Sequence, residues 1–163
     1  FLFNTSIYAI NIATVDLELI LNKSFSYQVF IKTINEFIDK ETIKFKSNES
    51  ILQKNKADIE SKQNILNESE INKLVSNYND QLNIYQNSIN NFNLLIDENI
   101  ELNKKIIIDK IIEILKEISI QDNYDLILTS NNFLLAHNKF DISNQVIIKL
   151  DEYKILLNTN NIK

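Results

Sequence analysis

The chain of 163 residues contains no glycine, proline, cysteine, methionine or tryptophan. Arginine is absent too, so all 17 of its Lys and Arg positions are lysine. Each absence excludes something. Without cysteine there is no disulfide framework, no thiolate metal site and no thiol nucleophile. Without glycine there is no Gly-rich phosphate loop, and turns that need a positive φ lose their usual residue. A compact enzyme built on many tight turns is hard to assemble without Gly or Pro, whereas a few long helices are not. Without arginine, bidentate contacts to phosphate are lost. The net charge of −5 supplies no basic face, so no nucleic-acid partner is expected.

Isoleucine, asparagine and lysine dominate what is present, as AT-rich codon usage would produce. The asparagines are interleaved with Ile, Leu and Phe at regular spacing, unlike a low-complexity tract. The length suits one domain. Phe1 to Ala9 reads as the end of a secretory signal: an apolar stretch runs into small polar residues and then Ala9, a cleavage position. The lack of Met fits the same reading, and an exported protein is expected.

Asn11 to Asp16 alternates apolar and polar residues and predicts a short strand. From Leu17 the period becomes helical. Ile31, Ile38, Phe45, Leu52, Ile59 and Leu66 fall seven apart. The positions three after them are mixed: Ile34, Glu41, Asn48, Asn55 and Lys62. Ile71, Val75, Tyr78, Leu82, Tyr85, Ile89, Phe92 and Ile96 then alternate steps of four and three, a coiled-coil seam that continues through Ile100, Ile107, Ile111, Ile114 and Ile118. Asn67-Glu68-Ser69-Glu70 predicts a turn between the two runs, with Ser69 capping the second helix. Each run is then about 45–50 residues, or roughly 70 Å, too long and thin for a globular core. Without Gly or Pro, any flexing must come from polar seam positions such as Asn48, Asn55 and Lys62.

After Asn123 the period returns to two. Tyr124 to Thr129 predicts a strand, Ser130-Asn131-Asn132 a turn with Asn at positive φ, and Phe133 to His137 a partner strand completing a hairpin. Ser143 caps a last helix with Val146, Ile147 and Leu150 on one face, and the tail after Tyr153 is expected to fray. The fold class is therefore α+β, mainly α: a long antiparallel helical-hairpin coiled-coil arm on a small β body with a C-terminal helix. The expected division is a signal remnant at 1–9, a body at 10–22 and 122–153, an arm at 23–121 and a tail at 154–163. Three short strands leave open edges, so association is expected to close them.

Little here points to catalysis. His137 stands alone on a predicted strand and reads as structural. Asp97, Glu98 and Glu101 share a helical turn, which reads as a solvated face rather than a metal site. No cofactor is expected.

The order of these elements resembles that of the Skp (OmpH) family of periplasmic chaperones. Ile12-Ala13-Thr14-Val15-Asp16-Leu17 and Leu21-Asn22-Lys23-Ser24 are similar to that family's first strand and first arm. Asn123 to Leu128, Asn131 to Ala136 and Asp141 to Leu150 are similar to its last strands and final helix. The resemblance spans residues 11 to about 153. It implies a homotrimer whose body is assembled from three chains, with Ile12, Val15, Leu126, Leu128, Phe133, Leu135, Val146 and Leu150 in that body. It also implies a periplasmic, ATP-independent holdase that keeps unfolded outer-membrane proteins in a cavity between arms. Phe30, Ile34, Phe37, Ile51 and Ile65 form a second apolar stripe that would meet such clients, and a membrane surface is a further partner the resemblance allows. One departure stands out. The family members are basic, but here the stretch from Glu70 to Asn103 sets Glu70, Asp80, Asp97, Glu98 and Glu101 against Lys73 alone. A lipopolysaccharide site is therefore not carried over, and apolar contact must contribute more. The alternative is a structural coiled-coil scaffold or spacer of the cell envelope without clients.

Overall fold

The computed structural model of the protein describes residues 9–159 and 162. The elements run β1 (Ile12–Val15), α1 (Leu17–Lys23), α2 (Phe25–Lys62), α3 (Glu68–Asp122), β2 (Leu126–Thr129) and α4 (Ser143–Asp151), with single 3₁₀ turns at Ser130–Asn132 and Asn138–Phe140. Long helices and a small sheet are thus both present. The chain separates into two compact units. Among the described residues, one takes 9–31 with Glu101–Asn158, and the other takes Lys32–Ile100 with Thr159 and Ile162. Of the expected signal remnant, only Ala9 lies within the described residues.

The first unit has one apolar core. Ala13 and Val15 of β1 pack with Ile20 and Leu21 of α1, with Ile107, Ile111, Ile114 and Ile118 of α3, and with Ile142, Val146 and Leu150 around α4. The four α3 isoleucines recur every three or four residues, so they share one helical face, and all four are fully buried. β1 and β2 pair in parallel, Ile12 opposite Leu126 and Val15 opposite Thr129. On the other edge of β1, Thr14 bridges to Asp141 and its C=O accepts the Ile142 N–H. β1 is therefore an inner strand, and even Thr14 is buried, unlike the half-exposed alternation expected of it.

The hairpin expected from Tyr124 to His137 does not form. β2 is present, but Phe133 to His137 joins no strand. A two-residue reversal needs positive φ at its centre. Ser130–Asn132 instead takes a 3₁₀ turn, and the positive φ among the described residues belongs to Asn123, at 54°. Asn123 follows the last residue of α3, and the Tyr124 N–H reaches back to the Ser119 C=O at 3.0 Å. This is the six-to-one bond of a Schellman ending, normally a glycine's task.

Other side chains also replace the missing punctuators. Asp16 caps α1 by accepting the Leu19 N–H at 2.9 Å. Ser24 is fully buried and breaks the helix between α1 and α2: its hydroxyl donates to the Leu21 C=O and accepts the Tyr27 N–H. The Asp151 carboxylate accepts the Phe25 N–H at 2.9 Å, tying the end of α4 to the start of α2. Ser143 does not cap α4 as expected. Its hydroxyl accepts the Asp16 N–H and donates to the Asp141 carboxylate, because the strand before it needs a partner. Nor do residues 154–158 fray. Ile155 and Leu157 pack against the core, and Asn158 is bonded to Asn103.

The second unit is a pair of antiparallel helical segments. Three ring contacts mark its centre: Phe45 on Phe92 at 5.3 Å, Phe45 on Tyr85 at 6.4 Å and Phe37 on Phe92 at 5.8 Å. Leu52, Ile59 and Ile96 are buried along the expected seam, whereas Val75 is 37% exposed. Asn55 is not a loosening point: its amide donates to Gln81 Oε1 at 2.9 Å, and a paired polar group in a seam specifies register. Past Ile96 the buried positions are Asn99, Asn103, Ile107, Ile111, Ile114 and Ile118, with Ile100 only half-buried. Steps of three, four and four have replaced the heptad, so the stripe moves off the position Ile100 would occupy.

The turn at the end of the pair is capped by Asn67, not Ser69. Asn67 Oδ1 accepts the Glu70 N–H at 3.0 Å, and the Glu70 carboxylate accepts the Asn67 N–H at 3.2 Å. This reciprocal pair is a capping box with Asn in the hydroxyl's place. Asn67→Ala is expected to cost about 1 kcal/mol and Ser69→Ala no more than about 0.5 kcal/mol. Urea unfolding of both variants decides this, and equal losses would contradict the assignment. Phe92→Ala, which removes two ring contacts, should cost about 3 kcal/mol, more than Tyr85→Ala, which removes one.

Candidate functional site

The groups able to do chemistry are occupied locally. A shallow cleft of about 200 Å³ lies among Asp16, Ser130, Phe133, Ala136, His137 and Asp141. His137 Nδ1 accepts the Lys139 N–H at 3.2 Å, Asp16 caps α1, and Asp141 accepts both the N–H and the hydroxyl of Ser143. The two carboxylates and the imidazole are each spent on local backbone geometry. Asp97, Glu98 and Glu101 are exposed on α3, and among the described residues no group of three His, Cys, Asp or Glu side chains is placed to hold a metal. The ion pairs among the described residues lie within helices at exposed or half-exposed positions: Lys32–Glu36, Lys44–Glu41, Lys62–Asp58 and Lys110–Glu113. Such pairs contribute little to stability. The hydrogen bond to Glu113 holds the Lys110 ammonium above the usual lysine value, and its Nζ lies 4.9 Å from the Tyr153 ring centre.

The remaining candidate is apolar surface. The five residues expected to form one client-facing stripe are not placed alike. Phe30 and Ile34 are buried, at 2% and 1% exposure, and Phe37 is half-buried against Phe92. Counting heptads from Ile31 as a, Ile34 is a d position and Phe30 and Phe37 are g positions. A packed helix buries a stripe of a, d and one flanking position, so the reading of two separate stripes fails. Ile51 and Ile65 are exposed, and Ile43, Ile84 and Leu94 join them at 70%, 69% and 59%. The sequence pattern carried a signal for these three. Ile43 and Leu94 fall at f and Ile84 at c, which point away from a partner helix.

The residues expected in a shared body also divide. Val15, Val146 and Leu150 lie in this chain's own core, so they have no surface left to offer another copy. Leu126 and Leu135 are exposed, and Ile12, Leu128 and Phe133 are half-buried. Leu134, not anticipated, is fully exposed beside Leu135. No helix among the described residues is long and apolar enough to cross a membrane.

Comparison with known proteins places this arrangement. No curated protein matches the sequence significantly. A crystal structure from Caulobacter crescentus CB15, provisionally described as an OmpH-like outer membrane chaperone, is similar to the chain with a TM-score of 0.68. The two share 13% identity, over 97% of this chain and 94% of that one, a likeness of fold. The model of the OmpH-like outer membrane protein family matches residues 11–150. With that match over most of its length, and with the family's order of strand, long helices, strand and final helix, the chain belongs to the OmpH-like family.

Proposed function

We propose that the protein is an ATP-independent periplasmic holdase and not an enzyme. In this reading it is exported by the signal remnant at residues 1–9. Residues 10–22 and 122–153 form a trimerising body, and residues 23–121 form an arm. Three arms enclose unfolded outer-membrane proteins and keep them from aggregating. Family membership supports a chaperone role, as does the description of the Caulobacter protein. The observation that carries it is the exposed, isolated apolar side chains on α2 and α3: Ile43, Ile84 and Leu94 at outward heptad positions, and Ile51 at a flanking g position that no partner covers. Ile43 and Ile51 are eight residues apart, roughly 12 Å along a helix. Such points offer many weak contacts and no continuous sticky patch. Burying roughly 500 Å² of scattered apolar surface yields on the order of 10 kcal/mol, most of it offset by ordering costs. The client is thereby held without being fixed. Leu126, Leu134 and Leu135, with the half-buried Ile12, Leu128 and Phe133, are the residues left for the interface between copies.

Two measurements test this reading. In solution the full chain should have the mass of a trimer. On dilution of a urea-unfolded outer-membrane β-barrel protein, it should suppress light scattering without nucleotide. The quadruple variant I43N/I51N/I84N/L94N should keep its helical circular dichroism and lose most of that suppression. An unchanged variant, or a trimer that leaves aggregation untouched, would turn the reading toward a scaffold. Because the chain lacks a basic face, suppression should not fall between about 0.01 and 1 M salt, which shortens the screening length from ~30 to ~3 Å. A steep fall would instead indicate electrostatic capture.

A further inference from the structure

Asn103 lies on the buried face of α3, one turn before Ile107, and is itself fully buried. A buried amide on an apolar face is costly unless bonded. Its Nδ2 donates to the Asn158 C=O at 2.9 Å, and its Oδ1 accepts the Asn158 N–H at 2.6 Å. One side chain thus meets both polar groups of one backbone residue, as a neighbouring strand would. This recognition does not depend on the side chain at that position.

The residues before Asn158 show the matching pattern. Ile155 and Leu157 pack against the core, and Leu156 between them is 81% exposed. In, out and in is the period of an extended peptide. At the other end of the segment, Lys110 sits over the Tyr153 ring. Lys110 lies seven steps along the helix from Asn103, roughly 10 Å. The five steps of chain from Tyr153 to Asn158 can span about 17 Å, and the slack is taken up where the Ile155 N–H turns back to the Tyr153 C=O. The segment has no regular structure of its own. Half-buried Ile155 and Leu157, the bonded Asn158 and the Lys110 contact at Tyr153 hold a stretch of irregular backbone, the kind of segment that opens locally at low cost.

We propose that the α3 face around Asn103 is a groove for extended apolar segments, occupied in cis by residues 154–158 and open to a segment of the same pattern in trans. Its ligand is an unfolded stretch with apolar residues at alternating positions, followed by a residue whose backbone pairs with Asn103. The cis segment is then a built-in competitor. This goes beyond the holdase reading, and the probe below comes from this chain, so its outcome is independent of any aggregation assay.

The probe is a fluorescein-labelled hexapeptide of residues 154–159, titrated by anisotropy into the full chain carrying I155N and L157N. Binding should be at least ten-fold tighter than to the unaltered chain, where the cis segment competes. Adding Asn103→Ala should weaken it at least ten-fold, and a peptide with Asn at both apolar positions should not bind. A folded double variant that ignores the peptide, or binding indifferent to Asn103→Ala, overturns the proposal. If the double variant loses its helical spectrum, hydrogen exchange on the unaltered chain decides. Millimolar peptide should speed exchange of the Asn158 amide several-fold, and an unaffected amide overturns the proposal.

Discussion

Strand β1 is four residues long and is bonded along both edges. On one side it pairs in register with β2, and on the other Thr14 meets Asp141 and Ile142. A buried backbone must have each N–H and C=O satisfied, and this requirement reaches beyond the sheet. It accounts for Ser143 turning its hydroxyl to the Asp16 N–H rather than to its own helix. Just before the strand, the exposed Asn11 extends the pairing: its N–H goes to Asp125 and its side-chain amide to the Asp122 and Asn123 carbonyls. The core isoleucines of α3 and the apolar residues of α4 close over a strand already bonded at its margins. Burial supplies most of the stabilisation, but the geometry is dictated by where β1 can find partners.

A chain without glycine or proline has to end its helices with side chains. Asp16, Ser24 and Asn67 do so here by accepting the N–H three residues on, and Asn123 does so through its backbone at positive φ. That such residues would serve was legible in the sequence; which of them would serve was not. Asn67 and Ser69 are two positions apart and both can cap. The choice depends on which residue has its partner Glu three places on, and Asn67 does. The same applies to the αL position. Asn131 and Asn132 are as permissive as Asn123, but only Asn123 follows a long helix whose last carbonyls need donors.

Periodicity read the long helices well, because a seam sustained over many turns allows few other arrangements. Its failures lay at the margins. Phe30 and Phe37 miss the seven-residue series, yet a flanking g position packs where a large partner faces it, as Phe92 faces Phe37. The outward positions of Ile43, Ile84 and Leu94 follow from the same count. Phe133 to His137 has the composition of a strand, but composition does not reveal that the preceding turn leaves the chain unreversed. The docking of Asn158 had no local signal at all, since Asn103 lies 55 residues away.

The pairing of β1 with β2 also bears on the order of assembly. Asn11 meets Asp125 across 114 residues of chain, and closing a loop of that length in a disordered chain loses entropy before any contact compensates. Parallel pairing at such separation is slow by nature. The helices between the strands need no such closure. Their turn and ring contacts join residues much nearer in sequence, Phe45 with Tyr85 and Asn55 with Gln81. A zipped pair of helices shortens the effective loop between the strands. Kinetically, the hairpin then acts as the template on which the sheet nucleates, with the strands pairing last.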